Sequence, residues 1–224
     1  MDTTGGQPQP ALDELASDPS SRKRFLRALG GGAAATLSVA LAACGRSTSK
    51  NGGNQFGGAG VGTAQFGQGD VGILNFVLSL EYIETDFYSA AVASGNLSGR
   101  ALELAKRFGA EELAHVATLE ATVRSLGGKL VGRHKTSFPL QSQTSILTTA
   151  SQIESLGAAA YLGQVDRIQS KRVLAAALSI HSVEARHAAV LSAMLGHPIS
   201  PDGAFAGPAT STDVSQLVTP FIVG

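Results

Sequence analysis

The chain of 224 residues has one cysteine, no tryptophan and only three tyrosines. A lone cysteine excludes an intramolecular disulfide, and it excludes a CxxC metal or redox pair. Charge of one sign is also missing, because Lys plus Arg and Asp plus Glu both number 17. That balance gives no basic footprint for nucleic acid, so no nucleic-acid partner is expected, nor any general attraction to an anionic membrane surface. The apolar stretch Ala28 to Ala43 is shorter than the roughly 18 residues a spanning helix needs, and Gly30, Gly31 and Gly32 loosen it further. What is present is a middle rich in Ala, Leu, Glu and Ser, a composition that favours helices over sheets. It is long enough for one domain of about 130 to 150 residues.

The first part of the chain reads as an address. A basic run, Ser21-Arg22-Lys23-Arg24-Phe25-Leu26-Arg27, precedes the apolar stretch, which ends in Leu41-Ala42-Ala43-Cys44. Basic region, short apolar region and small-residue cleavage site together describe a secretory signal peptide over 1–43. The basic run resembles the twin-arginine export signal, with Lys23 where the second arginine belongs, so twin-arginine and general secretory routes both stay open. Leu41-Ala42-Ala43-Cys44 resembles the lipobox of bacterial lipoproteins, which implies cleavage before Cys44 and acylation of its sulfur. The expected location is then the extracytoplasmic face of the cell membrane, held there by lipid without spanning it. Residues 44–69 are Gly, Ser, Asn and Gln with isolated Phe residues, a composition that buries no core and reads as a flexible linker.

Helical spacing starts at Asp70. Ile73, Leu74, Val77, Leu78, Tyr88, Ala91 and Val92 predict a helix over 70–93, with Asp70 as N-cap and Gly95 and Asn96 as its stop. Leu104, Ala105, Phe108, Val116, Leu119 and Val123 predict a second over 98–126. A long connection containing Pro139 follows, then a third helix over 148–168 and a fourth over 171–195, ended by Gly196 and Pro198. The tail 197–224 holds one short helical turn near 212–217. Two tight hairpins joined by a long connection predict an all-α, ferritin-like four-helix bundle over 70–196, with one long crossover between helices 2 and 3.

Three carboxylates fall where apolar residues belong. Projected at 100° per residue, Glu81 lies among Leu74, Val77, Leu78 and Tyr88. Glu112 lies among Phe108, Val116 and Leu119, and Glu184 among Val173, Ala177, Ile180 and Leu191. A buried carboxylate must protonate, find a partner or bind a metal. Glu112 with His115, and Glu184 with His187, are both Glu-x-x-His, a spacing that puts the two side chains on one helix face. Glu81 is followed after seven residues by Tyr88, and Glu154 by Tyr161, close to two turns. Glu112 follows Glu81 by 31 residues and Glu184 follows Glu154 by 30, so the domain reads as an internal repeat. Four Glu and two His would converge on one centre, three from each half. Glu84, one turn from Glu81, is an alternative to it. His181 is a candidate for a group outside the ligand set or facing the third helix. His134 and His197 are expected in solvent, and Glu103 and Glu111 on an exposed face.

The order Glu, Glu-x-x-His, Glu, Glu-x-x-His resembles the di-iron carboxylate centre of the ferritin-like superfamily. Leu80-Glu81-Tyr82-Ile83-Glu84, Glu111-Glu112-Leu113-Ala114-His115, Ala158-Ala159-Ala160-Tyr161-Leu162-Gly163 and Glu184-Ala185-Arg186-His187 resemble the desiccation-related branch. That resemblance implies one metal on Glu81, Glu112 and His115 and another on Glu154, Glu184 and His187, with Glu112 and Glu184 bridging. It also implies that Tyr88 and Tyr161 orient ligand carboxylates. Iron is the first expectation for the two ions, with manganese and zinc as alternatives. The expected activity is oxidation of Fe(II) or consumption of a small oxidant such as peroxide. The alternative is a non-enzymatic envelope stress protein whose metal is structural or absent. A homodimer is compatible with such a bundle, whereas a storage cage of many subunits fits poorly with a lipid tether.

Overall fold

The computed structural model describes residues 63–223. The expected signal peptide, Cys44 and most of the expected linker lie outside the described residues. Four long helices follow: α1 (Gly69–Ala93), α2 (Gly99–Ser125), α3 (Gln143–Leu162) and α4 (Lys171–Met194). A short α5 (Ser211–Val218) lies in the tail. Among the described residues there is no strand, only one isolated antiparallel bridge between Thr136 and Ile222.

The core divides into two apolar layers that give the helix directions. One joins the first half of α1 (Leu74, Val77, Leu78) to the second halves of α2 (Leu119, Val123) and α3 (Ala160, Tyr161) and the first half of α4 (Val173, Ala177). The other joins the second half of α1 (Phe87, Tyr88) to the first halves of α2 (Ala101, Ala105) and α3 (Ile146, Ala150) and the end of α4 (Leu191). Thus α1 and α4 run one way while α2 and α3 run the other. Consecutive helices pointing the same way need a connection that returns the full length of the bundle. Over the 27 residues of α2 that is about 40 Å, well within reach of residues 126–142. The long crossover is therefore a geometric necessity of the arrangement.

That crossover is tied down at both ends. The buried Asn75 amide donates to Phe66 O at 2.9 Å and Lys129 O at 2.8 Å, and accepts from Val131 N at 3.1 Å. Further on, Ser137 N donates to Phe221 O and Val223 N donates to Lys135 O, each at 2.9 Å. The tail thus closes over the crossover, and α1 becomes buried almost all round: sixteen of its 25 residues are buried. The tail also needs Gly163, where a Cβ would lie 2.0 Å from Ala209 O.

Three sequence expectations shift. α3 begins at Gln143 rather than residue 148, capped by the Ser142 hydroxyl, which accepts from Ser145 N at 3.1 Å. It ends at Leu162, with a separate 3₁₀ turn at Val165–Arg167 replacing its expected last turn. Asp70 is not the cap of α1, whose N-cap is Gln68. It lies inside the first turn and accepts from Gln169 N (2.8 Å) and Ser170 N (2.9 Å), fixing the entry to α4.

Candidate metal centre

Between the two apolar layers, each long helix places one glutamate at mid-length: Glu81 on α1, Glu112 on α2, Glu154 on α3 and Glu184 on α4. All four have no exposed surface, and His115 and His187 are buried with them. Because Glu112 and His115 are one turn apart, one helix delivers both to the same point, and Glu184 and His187 do the same from α4.

Their ligating atoms form two overlapping groups. Glu81, Glu112, His115 and Glu184 make the first, and Glu112, Glu154, Glu184 and His187 the second, so Glu112 and Glu184 belong to both. His115 Nδ1 lies 2.8 Å from Glu112 Oε2, 3.1 Å from Glu184 Oε1 and 3.3 Å from Glu81 Oε2. His187 Nδ1 lies 3.0 Å from Glu112 Oε1 and 3.2 Å from Glu154 Oε2. A ring nitrogen carries at most one proton, so it can satisfy one of these oxygens and not the rest. Glu81 Oε2, Glu112 Oε1 and both Glu184 oxygens accordingly have no hydrogen-bond partner. Unpaired buried carboxylate oxygens are costly. Ligands at about 2.1 Å from a common cation and at right angles to one another stand about 3.0 Å apart, and the observed separations cluster there. The donor set of four carboxylates and two imidazoles therefore fits a pair of divalent transition ions.

The two tyrosines meet the site in a crossed pattern. Tyr88 donates to Glu154 Oε1 at 2.5 Å and Tyr161 to Glu81 Oε1 at 2.6 Å. Each tyrosine thus orients the glutamate of the opposite half, rather than the one seven residues before it. The antiparallel crossing of α1 and α3 produces this exchange, and it leaves Oε2 of each glutamate facing the centre. Burial, then the neighbouring carboxylates, push both phenols well up, so they remain donors.

A seventh polar partner corrects the sequence reading. Glu111, expected on an exposed face, is half-buried and receives His187 Nε2–H at 2.6 Å, with Arg107 bonding it at 3.0 Å from outside. With a proton kept on Nε2, loss of the other proton would leave the Nδ1 lone pair directed into the cluster, the arrangement by which a carboxylate orients a metal-ligating histidine. Phe108 stacks on the His187 ring at 3.9 Å and holds its plane. Glu84, the alternative to Glu81, is buried alongside it. His181 does face α3, donating to Ala158 O at 3.0 Å, while Glu103, His134 and His197 are exposed.

Five buried carboxylates in one place impose large shifts. Burial raises Glu81 to about 7, and burial with the charges of its neighbours holds Glu84 and Glu184 well above the usual carboxylate range. Burial would also raise Glu112, but the His115 and His187 rings against its two oxygens outweigh this and bring it to about 2. Burial would lower both histidines, yet the carboxylates around them push His115 up to about 12 and His187 to about 10. Protons thus stand where cations would otherwise balance the charge. A cleft of about 480 Å³ between α2 and α4 reaches His115 and His187 past Glu111, Arg107 and Arg186.

Residues 69–197 match the model of a family described as a ferritin-like domain. A crystal structure of a conserved hypothetical protein from Mycobacterium tuberculosis superposes with a TM-score of 0.51 at 16% identity, covering 63% of this chain and 95% of that one. That likeness is one of fold. A hypothetical protein from Methanococcus jannaschii aligns with a TM-score of 0.47 at 10% identity, covering 66% and 90% of the two chains. No curated protein matches the chain closely enough to count as a relative.

Proposed function

The chain belongs to the ferritin-like domain family, and from that premise we propose that it is an exported, lipid-anchored di-metal protein that oxidises Fe(II) or consumes a small oxidant. The observation that carries the reading is the set of orphaned carboxylate oxygens, Glu81 Oε2, Glu112 Oε1 and both oxygens of Glu184, spaced with two histidine nitrogens as ligands of two cations. Glu81, Glu112, His115 and Glu184 would hold one ion and Glu112, Glu154, Glu184 and His187 the other, with iron first and manganese or zinc as alternatives. A pair of iron or manganese ions would supply electrons to dioxygen or peroxide, whereas zinc, which has no redox chemistry, would make the site structural. The protein's part is to position them: Tyr88 and Tyr161 fix Glu154 and Glu81 from behind, Glu111 fixes His187, and the apolar layers above and below exclude bulk water. The cleft between α2 and α4 is the way in for an ion or a small oxidant.

Export and anchoring are the second half of the proposal. Their support is the basic run before an apolar stretch and the single cysteine at the end of Leu41-Ala42-Ala43-Cys44. No helix among the described residues is long and apolar enough to cross a membrane. The lipid on Cys44 would be the attachment, at the extracytoplasmic face. Membership of the desiccation-related branch rests on the four helix motifs.

The test is to load the mature protein anaerobically with Fe(II), admit dioxygen or peroxide, and follow absorbance. Rapid oxidation that is lost in Glu112→Ala and His115→Ala is expected. A second reading, a non-enzymatic envelope stress protein, is favoured by one feature: His115 and His187 can neutralise part of the cluster by holding protons. Metal uptake with no oxidation faster than the ligand variants would favour it.

A further inference from the structure

The two halves of the bundle repeat each other around the centre. Glu81, Tyr88, Glu112 and His115 answer to Glu154, Tyr161, Glu184 and His187. Among the buried carboxylates, one has no counterpart in the other half. Three residues after its glutamate, the first half has Glu84 and the second has Gly157. The two departures are halves of one arrangement: a Cβ on Gly157 would lie 2.6 Å from Glu84 Oε1 and 3.1 Å from Glu184 Oε2. The missing side chain of Gly157 is what makes room for Glu84 beside Glu184.

Glu84 is 2% exposed. Away from the cluster its surroundings are apolar: Leu80, Ile83, Ile153, Leu156 and Val218 line a void of about 10 Å³ beside it, room for one water at most. Glu84 follows Glu81 by one turn of α1, so one helix face carries both carboxylates. Glu84 therefore stands nearer the metal position that contains Glu81 and His115 than the one that contains Glu154 and His187. It belongs to neither four-residue group, so in the metal-free arrangement it is a carboxylate held one step back from the ligands.

On the di-metal reading above, we infer that Glu84 makes the two metal positions unequal: through the space left by Gly157 it supplies a further carboxylate to the position held by Glu81 and His115. That position then has carboxylates from Glu81, Glu84, Glu112 and Glu184 against one imidazole, while its partner has three carboxylates against one. The richer position fills first and prefers the harder ion.

Anaerobic calorimetric titration of the metal-free mature protein with Mn(II) tests this. Wild type should show two separate binding events. Glu84→Gln, nearly the same shape without the charge, should weaken the tighter event at least about tenfold and leave the weaker one in place. Gly157→Ala, which pushes Glu84 aside, should have the same effect, and if it does not fold the Glu84→Gln isotherm decides alone. Two equal events in wild type, or a Glu84→Gln isotherm that superimposes on wild type, would overturn the role of Glu84 and leave the di-metal reading standing. No Mn(II), Fe(II) or Zn(II) uptake by wild type would overturn the di-metal reading and this inference with it.

Discussion

Glu184→Gln separates the protein's two states, because the same carboxyl has opposite duties in each. Without metal, burial and the charges of Glu81 and Glu154 push Glu184 well above the carboxylate range, towards its neutral form. Gln reproduces its size and neutrality, and the metal-free variant should melt within about 2 °C of wild type or above it. With metal, Glu184 belongs to both four-residue ligand groups, and Gln removes a shared anionic ligand. At metal one hundred times its Kd, wild type should gain about 2.7 kcal/mol, or about 5–10 °C for a domain of this size. A hundredfold loss of affinity in the variant would cut that gain to about 0.4 kcal/mol, around 1 °C. Differential scanning calorimetry with chelator, then with Mn(II) or Fe(II) under argon, reads both numbers. A variant stabilised by metal as much as wild type, or one whose metal-free form melts more than 5 °C lower, would refute the reasoning.

Three further outcomes follow from the same geometry. Tyr161→Phe frees Glu81 Oε1 and Tyr88→Phe frees Glu154 Oε1, and each should weaken metal binding about 10–100-fold; Tyr161→Phe should perturb the position containing Glu81 and His115 and not the other. The metal-free protein should lose stability as pH rises from about 5 to 9. The fold holds the proton of Glu81 to about 7, while the unfolded chain releases it near the ordinary 4.5, and His115 and His187 likewise keep theirs to about 12 and 10. Glu112, brought down to about 2, acts in the opposite sense and only below about pH 4.5. A metal-free urea midpoint higher at pH 8 than at pH 5 would contradict this. Asp70→Ala removes the acceptor for Gln169 N and Ser170 N and should cost about 1 kcal/mol in denaturant titration, with metal affinity unchanged.

What the sequence made legible was local. The Glu-x-x-His pairs and the mid-helix glutamates are fixed by positions on single helices, so spacing alone places them on one face. The crossed tyrosines were hidden because their partners are decided by how α1 and α3 pass each other, and a separation of seven residues carries no information about that. Glu111 was misread because a residue at the rim of a stripe looks exposed until the ring of a neighbouring helix, here His187, comes to meet it. The start of α3 was missed because Thr144 and Ser145 interrupt the apolar period, although Ile146 and Leu147 are core residues and Ser142 is a strong cap. Asp70 looks like a cap for the helix that follows it, while its carboxylate accepts from backbone amides 99 and 100 residues away.

The most direct measurement is the metal content of the protein purified from the cells that make it, by elemental analysis against protein concentration. The account predicts close to two transition-metal ions per chain, falling sharply when Glu112 and His115 are both replaced by Ala. Well under one ion per chain, unchanged by that double substitution, would contradict it.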